Sequence, residues 1–175
     1  AGGRDPTATT QFLRSTLYDD SGRKGLSVLA TFLFTHNAQI AVFAFALGFA
    51  FCLPTAFLIV ANGAMTGAFM ALFAQHGLGF QLGGWMFIHG VTELFAVTLA
   101  GAAGFKLGWT VAFPGGRSRV DALAESGRLA ATVMAGVVVM LFVAGLLEGF
   151  ARQLIKDNIA RYGVAGASAA LWGLY

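Results

Sequence analysis

Ionisable side chains are the scarcest feature of this chain: from Gly25 to Thr92 there is no Asp, Glu, Lys or Arg. Only 11% of the 175 residues are charged, while 57% are apolar and the mean hydropathy is +0.73. Soluble domains carry about 25% charged residues, so a soluble core under a polar coat is excluded. Cysteine occurs once, as Cys52 within an apolar run, which excludes an intrachain disulfide framework and a cysteine-based metal site. Alternating polarity is missing too. A stretch such as AVFAFALGFAF offers no polar lumen face, so a transmembrane β-barrel is set aside. There is no nucleophile elbow, P-loop or Rossmann fingerprint, and GLGFQLGG lacks the strand–turn–helix setting that gives a phosphate cradle meaning. The formal net charge of +3 is small. Its basic residues sit in polar connections, where they read as topology and headgroup signals and not as a nucleic-acid patch.

What is present is apolar sequence in span-length pieces. The uncharged stretch alone is long enough for two or more passes at roughly 20 residues each. The expected fold class is all-α: a polytopic transmembrane helix bundle with one broken or re-entrant helix and short interfacial helices. A single membrane domain, 1–175, divides into a polar or interfacial segment (1–37), a transmembrane core (38–150), and a connection with the start of a further helix (151–175). TTQFLRSTLYDD has helical apolar spacing at Phe12, Leu13 and Leu17 and reads as a short interfacial helix. Leu26–Thr35 is either a second interfacial piece or the first turns of the next helix.

Gln39–Ala61 is the first expected span, kinked at Pro54, with Asn62-Gly63 as a turn or break. Ala64–Ala74 is too short to cross alone and is either a re-entrant half-helix or part of a longer crossing helix. Trp85–Phe113 is the second span, with Trp85 and Trp109 as interfacial aromatics. Arg117–Arg128 is a charged, helical connection, Leu129–Phe150 the third span, and Val164–Tyr175 the opening of another helix. The chain begins AGGRDP without an initiator Met and stops inside an apolar segment, as a piece of a longer protein would. The positive-inside rule does not decide absolute sidedness. The Arg117–Arg128 connection with Lys106 holds four of the eleven basic residues, and the opposite face holds seven over longer segments.

Relative sidedness is firmer. The second and third spans share one connection and are antiparallel, so His89 and Glu93 fall in the same leaflet as Glu148. Arg152, one turn beyond Glu148, is a candidate counter-charge, and Asn37 and His76 join that side if Ala64–Ala74 crosses. At 100° per residue His89, Glu93, Ala96, Ala100 and Gly104 lie within a sector of about 80°. Small residues let helices approach closely, so this face, with Gly108 one turn further, is expected to meet protein. A charge at the bilayer centre costs ~3 kcal/mol on insertion scales, which requires pairing or neutralisation. The pair is then either an interhelical clasp or a functional polar site: a proton or ion relay, a metal site or a docking pocket. His-x-x-x-Glu supplies two ligands at most, with Glu148 the only evident third.

Taken together, FLFTHNAQIAVFAFALGFAFCLPTAFLIVANGAMTGAF, then HGVTELFAVTLAGAAGFKLGWTVAFPG, then a basic connection and VAGLLEGF resemble the stage II sporulation protein M family, from about Phe32 to Phe150. The specific part is HG-x-x-EL, AG-x-AG-x-x-LGW and PG. The resemblance implies an integral inner-membrane protein with a further transmembrane helix before Ala1 and another continuing past Tyr175. In spore-formers the founding member anchors two peptidoglycan-cleaving partners, and the enzymatic activity belongs to those partners. By motif match Asn37, Asn62, His89, Glu93 and Glu148 fall on the family's recurring polar positions. This chain looks like a member from outside the spore-formers, so engulfment is not carried over. The expected function is a non-enzymatic membrane scaffold for envelope or peptidoglycan-remodelling machinery. No catalytic residue, resident metal or cofactor is expected on this reading. Its partners are the lipid bilayer and other envelope or membrane proteins, and self-association is compatible with the sequence. The alternatives are a transporter or channel using the His/Glu cluster, and a metal-dependent membrane enzyme.

Overall fold

Glycine and alanine recur through residues 79–112 at spacings that give one helix a face of small residues along Ala96, Ala100, Gly104 and Gly108, and that helix becomes the centre of the molecule. The structure, a computed structural model, describes residues 7–18, 23–50 and 52–174. Over these it is helical, with no strand among the described residues. The elements are α1 (Thr10–Tyr18), α2 (Arg23–Ala46), a 3-10 turn (Leu47–Phe49), α3 (Leu53–Gln75), α4 (Gly79–Ala112) and α5 (Arg119–Leu146). A π turn (Leu147–Ala151) comes next, then α6, a single turn (Arg152–Leu154), and α7 (Asn158–Leu174). α4 packs against α2, α3, α5 and α7. Three helical segments are long and apolar enough to cross a membrane: Leu53–Gln75, Gly79–Ala112 and Arg119–Ala151. The most apolar stretch of α4 is 56% buried and that of α3 only 6%, which makes α4 the core and α3 an outer helix. With 34 residues, α4 is about 51 Å long. A hydrocarbon core is about 30 Å thick, so α4 extends beyond it.

The residue pairings set the directions. Asn37 meets Glu93, Ala44 lies against Gly104, and Gly48 lies against Gly108, so α2 runs parallel to α4. Ser126 meets Thr110 at 3.0 Å and Glu148 faces His89, so α5 runs antiparallel to it. α2 and α3 form a helical hairpin whose turn lies at Leu47–Cys52. Here the expectation of a span over Gln39–Ala61 is corrected: the chain reverses in the middle of that stretch. Pro54 does not kink a helix interior; it occupies the first turn of α3, where its missing N–H is no loss. Cys52, the N-cap of α3, has the left-handed φ of 67°. The Thr55 hydroxyl donates to the Ala44 carbonyl at 2.9 Å, satisfying an oxygen that the end of α2 leaves open.

Asn62-Gly63 is likewise not a turn. It lies inside α3, and Ala64–Ala74 is the second half of that same helix. Leu26–Thr35 belongs to α2. The charged stretch 117–128 is not a separate connection. Ser118 accepts from the Asp121 backbone N–H at 3.1 Å and so caps α5, which continues unbroken from Arg119 into the apolar span. α7 begins at Asn158, earlier than the expected Val164, and the Asp157 carboxylate accepts from the Ala160 N–H at 2.8 Å.

α1 is the short amphipathic helix expected from Phe12, Leu13 and Leu17. Leu13 and Leu17 bury themselves with Phe73, Leu78, Leu82 and Trp85, so α1 seals the end of the bundle where α3 turns into α4. Trp85 is thereby buried at 5% exposure, which corrects its assignment as an interfacial aromatic; Trp109, at 64%, is outward-facing.

Candidate functional site

The polar site is built where α2, α4 and the π turn meet. His89 and Glu93 are one turn apart on α4, and both are buried, at 2% and 3% exposure. Glu148, in the π turn, is 2% exposed and brings Oε1 to 3.9 Å from His89 Nε2. One ligand atom from each of the three lies within 4.8 Å of the others. A π turn holds one residue more than an α turn, which sets how Glu148 and the residues after it are presented to α4.

Each acid has its own partner. The Asn37 side-chain amide donates to Glu93 Oε2, so α2 supplies the hydrogen bond that holds that carboxylate. Arg152 Nη1 donates to Glu148 Oε1 at 3.3 Å, and its guanidinium carbon sits 4.6 Å from the centre of the Trp85 ring. Arg152 is itself only 4% exposed. A charge-assisted pair buried to this depth stands only when further contacts make up for desolvation; the Trp85 face supplies one of them. The His89 ring meets Trp85 edge-on, 6.3 Å between centres. Glu93 Oε1 and His89 Nδ1 are buried with no hydrogen-bond partner among the described residues.

His89, Glu93, Glu148, Asn37 and Arg152 are therefore brought together. Asn62 is not: it is half-buried in mid-α3 and joins none of these contacts. His76 bonds the Leu72 carbonyl at 2.8 Å and stays at the turn before α4. The small residues meet protein along α4. Ala96 and Ala100 have no exposure and pack with Ile40, Ala41, Val137 and Met140. A Cβ on Gly104 would run into the carbonyls of Ala44 and Phe45, and one on Gly108 into the Gly48 carbonyl. The other glycine pairs at this spacing differ, since Gly63, Gly67 and Gly149 face open space.

Several contributors were not singled out in the sequence. Trp172 of α7 donates its indole N–H to Thr92 Oγ1 at 2.9 Å, beside Glu93. Tyr162 stacks on Phe80 and donates to the Phe80 carbonyl at 3.2 Å. Arg161, buried at 4%, donates through Nε to the Ile155 carbonyl at 2.7 Å and through Nη2 to the Arg152 carbonyl at 3.2 Å. Gly83 and Gly84 give Tyr162 and Asn158 room to approach α4. Only an Arg and a Tyr inside an otherwise small-residue helix signalled this in the sequence.

An outer surface of apolar helices around a buried knot of ionisable groups defines a helical membrane protein. Within that class the chain belongs to the stage II sporulation protein M family, which matches residues 5–151. That match begins well before the Phe32 at which the motif resemblance starts, so it takes in α1 as well. Comparisons with curated proteins and with solved structures return no match.

Proposed function

We propose that the chain is a non-enzymatic scaffold of the bacterial inner membrane, crossing it several times and recruiting proteins that remodel the cell envelope and its peptidoglycan. The carrying observation is how the buried polar groups are used. Asn37 on Glu93 ties α2 to α4, Glu148 and Arg152 against His89 and Trp85 tie the end of α5 to α4, and Trp172 on Thr92 ties α7 to α4. Each group fixes a helix to the central one, which is what a rigid docking platform requires. Family membership supports the envelope setting.

A transporter reading has less behind it. Interrupted helices in transporters unwind at the substrate site. Here the Leu47–Cys52 interruption packs at Gly104 and Gly108, about 16 Å along α4 from Glu93 to the nearer glycine. The test of the scaffold is affinity capture of the full chain in mild detergent. Envelope or cell-wall proteins are expected to co-purify, and to be lost when Glu93→Gln loosens the bundle. Absence of such proteins, together with Glu93-dependent flux in proteoliposomes, would replace this reading with the transporter.

A further inference from the structure

The three ligand groups at the α2–α4–π-turn junction face one another without satisfying one another. His89 Nε2 and Glu148 Oε1, at 3.9 Å, are too far apart for a hydrogen bond. Glu93 has one oxygen held by Asn37 and the other, Oε1, buried with no partner among the described residues. Buried polar atoms in folded proteins are paired, so an unpaired carboxylate oxygen at 3% residue exposure points to a ligand.

The spacing states which ligand. Three atoms that lie within 4.8 Å of one another all lie within about 2.8 Å of a common point. Metal–nitrogen and metal–oxygen bonds of about 2.0–2.2 Å are reached from there by side-chain adjustments of about 0.6–0.8 Å. Asn37 and Arg152 occupy the positions of outer-shell donors that orient ligating carboxylates.

We propose that His89, Glu93 and Glu148 bind one divalent first-row transition cation, with Zn²⁺ as the best-fitting ion. A histidine among three ligands disfavours Ca²⁺ and Mg²⁺, which take oxygen and more of it. The lack of thiolate disfavours copper(I). Three protein ligands leave a coordination position for water. The ion joins α4 to the end of α5, and the inference stands whether or not the chain is a scaffold.

The test uses the full chain, purified in mild detergent on a tag without histidines, stripped with chelator and titrated with Co²⁺ as a coloured stand-in. Visible ligand-field absorption is expected to saturate at one Co²⁺ per chain and to be displaced by Zn²⁺. Glu93→Gln and His89→Ala are each expected to abolish it. Asn37→Ala, which keeps all three ligands, is expected to weaken binding by about 10- to 100-fold. The double variant His36→Ala/His76→Ala leaves the cluster intact and must retain the full signal. Two results overturn the proposal whatever the cluster variants do: a helical, monodisperse wild type without saturable absorption, as a trapped water in place of the ion would give, or loss of the signal in the His36/His76 variant. Saturable binding unchanged in folded Glu93→Gln and His89→Ala overturns it as well.

Discussion

Gly104→Ala adds one methyl group where α4 meets the backbone of α2. An ideal Cβ there stands 2.5 Å from the Ala44 carbonyl oxygen and 2.8 Å from that of Phe45, whereas ordinary contact starts at 3.4 Å. Both obstacles are backbone, so no rotamer change relieves them, and the helices must part by about 0.9 Å. Overpacking of this kind costs typically 1–3 kcal/mol. Helix propensity works the other way, since Gly to Ala in a helix gains up to about 1 kcal/mol, leaving a net loss of up to about 2 kcal/mol against wild type and a gap of about 1–3 kcal/mol against a glycine without the clash. Gly63→Ala is the matched control, because nothing lies within 4 Å of its Cβ and only the propensity gain applies. Helical circular dichroism against temperature in one detergent reads both variants. Gly104→Ala is expected to unfold several degrees below wild type, and Gly63→Ala at or slightly above it. Equal midpoints for the two would refute the account of α2 and α4 as helices held at backbone contact.

Arg152→Met leaves Glu148 buried without its counter-charge and is expected to cost about 3 kcal/mol or more, while Glu148→Gln/Arg152→Met recovers most of it; thermal unfolding of the cycle in detergent measures both. Thr92→Val removes the acceptor of the Trp172 indole at 2.9 Å. A loss of about 1 kcal/mol is expected, seen as a red shift in tryptophan emission and faster proteolysis within α7. Arg161→Lys cannot reach the Ile155 and Arg152 carbonyls together as the guanidinium does. Hydrogen exchange at residues 155–158 is expected to accelerate while α4 stays protected.

Sequence reasoning located the ionisable cluster because it rests on two robust quantities: the 100° step that aligns His89 with Glu93, and the antiparallel pairing of two spans that share a connection. It misplaced the hairpin between α2 and α3 because the turn at Leu47–Cys52 contains no charged or strongly polar residue. The available signal was Pro54, a residue at home in a helix's first turn. Asn62-Gly63 misled in the opposite direction. Asn-Gly marks a turn where water can receive the freed backbone groups; a helix in an apolar medium keeps its hydrogen bonds internal, and the dipeptide stays helical. Ser118 and Asp121, three residues apart, did announce the start of α5. Their message was masked by the charged residues around them. Trp85 was misassigned because a tryptophan at a span end reads as a headgroup anchor until a short helix such as α1 covers it.

The π turn makes chain length, apart from chemistry, a determinant at this end of the protein. Its extra residue lets Leu147–Ala151 advance the helix without advancing its phase by a full α step. Removing one residue there, Gly149 for instance, would let the backbone relax into regular α-helix at little local cost. Because the π turn already absorbs that residue, the phase downstream would stay nearly as it is and Arg152 would keep its place over the Trp85 ring. Removing a residue from the regular helix of α5 would instead rotate everything after it by about 100°, carrying Arg152 off that ring and the start of α7 away from Gly83 and Gly84. A substitution in these five residues is felt by its neighbours. A deletion in the regular helix before them is felt by every contact that comes after it, and the π turn is where the chain can lose one residue without that.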